Sequence, residues 1–599
     1  MAKVLLYTIN DSGAAGLRIL GAVLKERGHE VRIVLVEPDL HMTTTATVPK
    51  GFTPEWAGAS CRVTLMRGFL LWSTAQENLQ VPSSFKNQLS SFAPDIIGFS
   101  GRALLNSLCP DWFATIKQEI PQALLVAGGF GPSAEPEFFL EAGADLVIRG
   151  EGEEAICSIA DCVDQKRPWT DIPNCAWKNG AALTLNPLRL PVMDLSTLPE
   201  QLLFTPEISY IKDGALYNSD PISTAASAFI LTGRGCIGSC SYCVAGNWRN
   251  MYTEQGLHIP KYRARSLRSV LDEMGQYKRI GAKAITITDD FFIRSKKEMI
   301  EFFKAYNEEI ALPFFANFHH KILLDNPDLI DTIDDAGLQR MVLAIQSPNE
   351  EFARQIFTRN NNNADYIALA YEFRKRKIDI LFHLIDGVIL NGWDTLEDIL
   401  TFVQQIPPFQ PPFPSLPFYF SKLALSPLAP LAKNYPEINS SLISFNEYLY
   451  RGMLVYFRYL LSDIEFAILR ANDFYKENPD HLLPMLHAVV RDMHNVYIYE
   501  QANALAGQEI YFWGCGEIYN ARKHLFIGTK PRAILVNVPT TVMEVDGLPV
   551  LQAADVLERD NSTLPVVIFS NQALNIARYL KRIRPDYPDD KIIACQTTM

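Results

Sequence analysis

The chain has 599 residues, room for roughly three to five domains with substantial cores. Its 55 lysines and arginines against 67 aspartates and glutamates give a formal net charge of −12, which argues against a protein held by nonspecific contact with nucleic-acid phosphates. A hydrophobic fraction of 48% and a charged fraction of 20% exclude a disordered chain, no apolar run approaches the ~18 residues of a membrane helix, and ten cysteines are too few for a disulfide scaffold.

The opening residues Met1–Asn10 lack the basic, apolar and small-residue segments of a signal peptide, so a cytoplasmic location is expected. Val4–Ile9 reads as a short strand, Gly13–Arg27 has helical spacing in Leu17, Leu20, Val23 and Leu24, and Val31–Val36 is apolar again. With further strands at Asp95–Phe99, Leu124–Ala127 and Asp145–Ile148, residues 1–165 predict an open parallel sheet of Rossmann-like type. Thr43–Val81 breaks the rhythm, and Trp56, Phe69 and Trp72 point to a packed loop. Residues 166–227 form a connector with a hairpin at Ala176–Leu185 around Asn179-Gly180. A second α/β series fills 228–430, with strands at Phe229–Thr232, Ala284–Thr288, Pro313–Asn317, Met341–Gln346, Ile380–Ile385 and Phe418–Leu425. Six such strands with intervening helices predict a full or partial barrel, whose chemistry sits at the strand C-termini. Residues 431–505 read as a helical layer. Residues 506–599 read as a small α/β domain with strands at Ile510–Trp513, Ala533–Val536, Val566–Phe569 and Ile592–Ala594.

The most specific local pattern is Gly233-Arg234-Gly235-Cys236-Ile237-Gly238-Ser239-Cys240-Ser241-Tyr242-Cys243, a C-x3-C-x2-C loop after the first barrel strand. A loop this rich in Gly and Ser can curl so that three thiolates point at one centre. A four-iron cubane has four corners, and three protein ligands leave one iron open. Zinc is the alternative, but it takes four ligands, and the nearest further one is His258, 15 residues past Cys243. Chance clustering of core cysteines is the other alternative.

This segment, with Tyr242 just before the third cysteine, resembles the signature of the radical S-adenosylmethionine (SAM) enzymes. The resemblance implies a [4Fe-4S] cluster held by Cys236, Cys240 and Cys243, with SAM chelating the open iron and cleaved by one electron from the reduced cluster. It extends to Tyr262-Arg263-Ala264-Arg265-Ser266 with Val270 and Glu273, and to Asp289 and Asp290 at the second strand's end, where the family contacts the SAM amine. Gln346 and Ser347 stand where relatives have Glu-Ser beside the SAM ribose or carboxylate. Thr358-Arg359-Asn360 matches a following segment. Gly387 ends the fifth strand, followed by Val388-Ile389-Leu390-Asn391-Gly392 in place of the usual Gly-Leu-Pro-Gly turn, and Leu425-Ser426-Pro427 is placed for contacts to adenine.

The N-terminal region resembles the cobalamin-binding domain that precedes the barrel in one subset of that family. The matching residues are Gly98-Phe99-Ser100-Gly101, Ala127-Gly128-Gly129-Phe130-Gly131-Pro132, and Ala144 to Glu153 with Gly150 and Glu151 at the strand end. Each lies at the binding edge of a parallel sheet, where glycine lets a backbone approach a large ligand. A D-x-H-x-x-G lower-ligand segment is missing: the first strand ends Asn10-Asp11-Ser12-Gly13, and His29 and His41 have no assigned role. Of His319-His320, alternation lets at most one face the barrel mouth. Gly514-Cys515-Gly516-Glu517 is a lone G-x-G, and the other cysteines show no second cluster spacing.

The resemblance covers roughly 430 residues and implies a cobalamin-dependent radical SAM methyltransferase acting on an unactivated carbon or phosphorus centre. Its expected partners are a small-molecule or peptide substrate and an external one-electron reductant of flavodoxin or ferredoxin type, with neither nucleic acid nor a membrane span. The alternatives on the same cofactors are oxidative cyclisation or rearrangement. A noncatalytic cluster or cobalamin carrier, and a radical SAM enzyme without cobalamin, are the other readings.

Overall fold

The described residues form three large sheets and one two-stranded ribbon. The structure, a computed structural model, describes residues 1–9, 11, 13–37, 81–101, 108–212, 214–221, 227–386, 389–390, 392–408, 417–422, 429–435, 443–537, 540–560, 563–570 and 573–595. The first sheet has nine strands: β1 (Lys3–Ile9), β2 (Glu30–Glu37), β3 (Ile96–Ser100), β4 (Leu124–Gly128), β5 (Leu146–Ile148), β6 (Cys175–Asn179), β7 (Ala182–Leu185), β8 (Ile208–Lys212) and β9 (Ala215–Tyr217), in the order β7-β6-β5-β4-β3-β1-β2-β8-β9. Its centre is parallel, and β1 is buried along almost its whole length, as a strand covered on both faces must be.

The connector supplies both rims of the first sheet. β6–β7 is an antiparallel hairpin paired to β5, and β8 pairs parallel to β2 and turns back as β9. The physical reason is the open edge. Unpaired backbone groups on β5 and β2 are satisfied by the nearest available chain.

The cysteine segment has its own ribbon, β11 (Gly233–Gly235) with β12 (Tyr262–Ala264), apart from the second sheet. The second sheet comprises β10 (Ala228–Ile230), β13 (Ile285–Ile287), β14 (Phe314–Asn317), β15 (Leu338–Gln346), β16 (Asp379–Asp386) and β17 (Phe418–Lys422). These are all parallel and lie in chain order, with β10 and β17 at the two edges, so the series forms an unclosed (βα)6 barrel. Amphipathic helices cover it. Lys296–Glu309, started by a Ser295–Glu298 capping box, buries Met299, Phe302, Phe303 and Tyr306 at helical spacing.

The helical layer shares this core: Met453, Leu454, Phe457, Leu486 and Val490 join the barrel's buried cluster. Its anchor is Arg451, whose Nε and Nη2 donate to Asp386 at 2.5 and 2.9 Å at the end of β16. The 23-residue helix Leu482–Ala504, about 35 Å long, carries Leu486 and Val490 in that core and Ile498 and Ala502 in the next. The last domain is a six-stranded sheet in the order β20-β21-β19-β18-β22-β23. Its strands are β18 (Glu509–Trp513), β19 (Lys530–Val536), β20 (Glu544–Val545), β21 (Leu548–Gln552), β22 (Val566–Phe569) and β23 (Ile592–Cys595).

Candidate functional site

The ribbon β11–β12 launches the cysteine loop. Gly235 has φ +92°, and the Lys261 carbonyl lies where a side chain would start, so only glycine fits the exit into Cys236. Cys236 is buried, and Cys240 and Cys243 are half-buried. The Gly238 amide donates to Cys236 Sγ at 3.4 Å. A Cβ on Gly238 would stand 3.5 Å from Cys236 Sγ and 3.6 Å from Cys240 Sγ, so this glycine keeps open the space both sulfurs border. Burial pushes the Cys236 thiol up to about 11 and raises that of Cys243, with Asp290 and the neighbouring thiols adding to the effect. Cys236 and Cys243 thus need positive charge nearby to be held as thiolates.

Among the described residues no group of three or more His, Cys, Asp or Glu side chains closes to single-ion distance. Three cysteine sulfurs, two of them bordering the space that Gly238 leaves open, are a donor set for three corners of a four-iron cube, and in this respect the residues fit the cluster. Asn247 Nδ2 pins the loop by donating to the Cys240 and Cys243 carbonyls at 3.0 and 2.8 Å. From the barrel side, Arg359 Nη1 donates to Cys240 Sγ at 3.5 Å and to the Tyr242 hydroxyl at 3.4 Å, while Nη2 holds the Ala344 carbonyl at 2.6 Å. Tyr242 packs on Phe357 with centroids 4.6 Å apart.

The two aspartates at the end of β13 separate. Asp289 is buried and fully engaged. It accepts from the Thr232 amide at 2.7 Å, the Thr232 hydroxyl at 2.6 Å and the Tyr262 hydroxyl at 3.0 Å. These bonds tie the segment after β10 and the strand β12 to the end of β13. Asp290, the next residue, is exposed, with protein packed around part of its carboxyl group. Burial and then the Asp289 carboxylate push it up to about 6, and its charge reaches Cys236 and Cys243. A carboxylate beside the cysteines fits an ammonium group.

β15 ends in strain. Gln346 has φ +67°, and Ser347 is fully buried with no hydrogen-bond partner for its Oγ. Asn361 Nδ2 clamps this turn through the Ile345 and Ser347 carbonyls at 2.6 and 2.9 Å. A left-handed non-glycine beside an orphaned hydroxyl is characteristic of a ligand-facing strand end. Of the histidine pair, His320 is buried against Tyr366, with ring centroids 4.5 Å apart, and burial lowers it to about 4. His319 lies against Phe291. Gly387, Val388, Asn391, Leu425-Ser426-Pro427 and the loop through Thr43–Gln80 lie outside the described residues.

At the first sheet's edge, the loops after β3 and β4 interlock. The Gly101 amide donates to Gly128 O at 3.0 Å, Gly131 donates to Gly101 O at 3.3 Å, and Thr8 Oγ1 donates to the Ser100 carbonyl at 2.9 Å. Gly129 has φ +97° and ψ −167°, and a Cβ there would meet Gly101 O at 3.0 Å. The edge is thus bare backbone, which fits a large planar ligand such as cobalamin.

That edge faces the cysteine loop. Phe130 stacks edge-on against Trp248 at 4.7 Å, and the Tyr252 hydroxyl packs against Gly150 and accepts from the Glu151 amide at 2.9 Å. Arg234 and Arg263 are paired directly across the β11–β12 ribbon, an unfavourable like-charge pair. Glu151 resolves it by accepting from Arg234 Nη1 at 2.8 Å and from Arg263, while Arg234 Nη2 reaches Glu153 at 2.6 Å. Burial works against the Glu153 carboxylate, but Arg234 holds it below the usual range. Both oxygens of Glu151 are engaged in this joint. Sequence reading had not singled out Arg234, Tyr252, Trp248 or Asn247. Their one signal is position, since Arg234 precedes Cys236 by two residues and the other three follow Cys243 within nine.

Two family models match the chain. The model of the radical SAM superfamily matches residues 230–403, and that of the B12 binding domain matches residues 72–160. Over 331 residues the chain is 23% identical to an anaerobic magnesium-protoporphyrin IX monomethyl ester cyclase of Rubrivivax gelatinosus, covering 53% of this chain and 56% of that protein. Over 206 residues it is 23% identical to a bacteriochlorophyllide d C-12(1)-methyltransferase of Chlorobaculum tepidum, covering 32% and 41%. The chain therefore spans about half the length of the curated relatives it matches. Among solved structures, the radical SAM methyltransferase TsrM of Kitasatospora setae aligns with a TM-score of 0.49 at 17% identity, covering 73% of this chain and 76% of that one. The cobalamin-dependent enzyme OxsB aligns at 0.46 and 14%, covering 67% and 52%. The radical SAM domain implies a [4Fe-4S] cluster and SAM as cofactors, and the B12-binding domain implies cobalamin. The chain joins a B12-binding domain to a radical SAM domain, the architecture of the cobalamin-dependent radical SAM enzymes.

Proposed function

We propose that the chain transfers a methyl group to an unactivated carbon or phosphorus centre of a small-molecule or peptide substrate. The observation that carries this reading is the seam, where the glycine edge of the first sheet is fastened by Glu151 to the very ribbon that launches the cysteine loop. Group transfer between two carriers works only when both are held within a few ångströms of the substrate. In this reading Cys236, Cys240 and Cys243 hold three irons and leave the fourth open. Asp290 receives the SAM amine, Gln346 and Ser347 border the SAM carboxylate or ribose, and Tyr242 supports the loop. Ser100, Gly101, Gly128, Gly129, Phe130 and Gly150 form the cobalamin edge. When bound, the cluster with SAM supplies one-electron chemistry, and cobalamin supplies a methyl carrier. The protein orients both and excludes water between the domains. Electrons come from a soluble reductant of flavodoxin or ferredoxin type, and the reading places the enzyme in the cytoplasm. Among the described residues no helix is long and apolar enough to cross a membrane.

Oxidative cyclisation on the same cofactors is the second reading, favoured by the cyclase match, which covers 53% of this chain against 32% for the methyltransferase. Anaerobic reconstitution with iron and sulfide, followed by dithionite, hydroxocobalamin and methyl-labelled SAM, tests both. The wild-type chain should form 5′-deoxyadenosine, and Cys240→Ala should not. Label retained in product supports methyl transfer, and a product that has lost hydrogen without gaining label supports cyclisation. An intact cluster that yields no 5′-deoxyadenosine would overturn both.

A further inference from the structure

Five arginines are buried among the described residues, and four of them are fully provided for. Arg18 donates to Asp220 at 2.5 and 2.8 Å, Arg451 to Asp386, and Arg263 to Glu151. Arg294 donates to the Ile293, Thr232 and Arg265 carbonyls and to the Tyr262 hydroxyl. Arg149, at the end of β5, is the exception. It is 9% exposed, its Nη1 is wholly buried, and among the described residues that nitrogen has no hydrogen-bond partner and no carboxylate is paired with the guanidinium. Burial accordingly depresses its basicity. An uncompensated buried guanidinium is expensive, and its free N–H groups in a fixed fork suit two oxygens of one anion.

Arg149 borders a cavity of about 310 Å³, the low end of small-molecule pockets. The cavity lies on the seam. Ser133 comes from the helix after β4, Asn250 and Glu254 from the segment after the cysteine loop, and Lys433 and Asn434 from the helix Pro430–Asn434. Lys433 and Glu254 stand 4.0 Å apart at the mouth, both largely exposed, so Arg149 leaves the cavity with one positive charge in excess.

We propose that this cavity binds a small molecule through an oxyanion, either a carboxylate or a phosphate ester, seated on Arg149. The anion belongs either to the substrate or to the nucleotide tail of cobalamin, and in both cases its binding would tighten the seam between the domains. The proposal stands independently of methyl transfer, because its first test uses neither SAM nor the cluster.

That test is thermal melting of the full chain in sodium phosphate against sodium chloride at matched ionic strength. Phosphate should raise the melting temperature of the wild type above its value in chloride. Arg149→Met should lose that rise while melting no lower than wild type in chloride, since it removes an unpaired charge. Lys433→Met, an exposed change with no folding risk, should show a smaller rise. A second arm compares hydroxocobalamin with cobinamide, which lacks the nucleotide phosphate. If Arg149→Met weakens cobalamin binding by roughly ten- to hundredfold and leaves cobinamide unchanged, the anion is the cofactor's. If both affinities are unchanged while the phosphate response is lost, it is the substrate's. A wild type indifferent to phosphate, or variants that respond as wild type does, would show an adventitious ion only and overturn the proposal.

Discussion

Two adjacent carboxylates at the end of β13 show how alternation assigns work. Asp289 accepts three hydrogen bonds, one from a backbone amide, so Asp289→Asn should cost about 2–3 kcal/mol of stability and disturb the β10–β12 junction. Asp290 has no such engagement, and its position up at about 6 means the folded chain disfavours its ionised form. The destabilisation it causes is absent below its ordinary value and is complete once pH rises past about 6. Asp290→Asn should therefore raise the melting temperature of the cofactor-free chain at pH 7, yet weaken SAM binding roughly tenfold. In the wild type, SAM affinity should fall as pH drops below 6, and this fall should vanish in the variant. Calorimetric titration at pH 5.5 and 7.5 reads it; equal affinities for wild type and Asp290→Asn would remove Asp290 from the site. Arg359 acts on the cysteine loop. A cation donating to Cys240 Sγ favours the more negative, reduced cluster, so Arg359→Gln should lower the midpoint potential by roughly 60 mV, the one-electron equivalent of a tenfold change. Redox titration monitored by electron paramagnetic resonance measures this, and an unchanged potential would leave Arg359 a packing residue only.

At the scale of elements, strand ends carry the chemistry and strand interiors carry the fold. The interlocked loops after β3 and β4 depend on Gly129, whose backbone lies in a region open essentially to glycine alone. Gly129→Ala adds a Cβ against Gly101 O and should cost about 1–3 kcal/mol in the first sheet, with loss of cobalamin binding. Iron and sulfide incorporation should be unchanged, because the cysteine loop is built on a different sheet. Loss of iron together with cobalamin would show the two domains to be inseparable. The parallel strands were legible because each carries a short, mostly apolar run between helical stretches, as β1 and β22 illustrate. β8 was not. Its run Ile208–Lys212 is brief, and it becomes a strand by completing the open edge of β2, which is a tertiary fact. Local spacing gave the cysteine loop, since three ligands within eight residues announce themselves. The ion-pair role of Glu151 was not legible, because its partners lie 83 and 112 residues away and no local pattern records them.

The whole molecule is arranged around one seam. Its upper border is the glycine edge of the first sheet, its lower border is the ribbon and cysteine loop, and Arg451 ties the helical layer to the end of β16 beside them. Glu151 holds this together by satisfying two arginines that would otherwise repel across the ribbon. Replacing it by glutamine leaves the size and removes the charge, so Arg234 retains only Glu153 and Arg263 loses its ion pair. Each domain should still fold and load, because neither the cysteine loop nor the glycine edge loses an internal contact. What should change is their relative position. Amide hydrogen exchange should quicken in Gly233–Gly235 and Tyr262–Ala264, while the centre of β1 stays protected. On the proposed function, a displacement of about an ångström is enough to cost transfer roughly a hundredfold. Glu151→Gln should therefore suppress methylated product far more than 5′-deoxyadenosine, and Glu151→Asp should recover part of the product. A parallel fall in both would make the joint merely structural, and no change in either would mean that the seam is held without it.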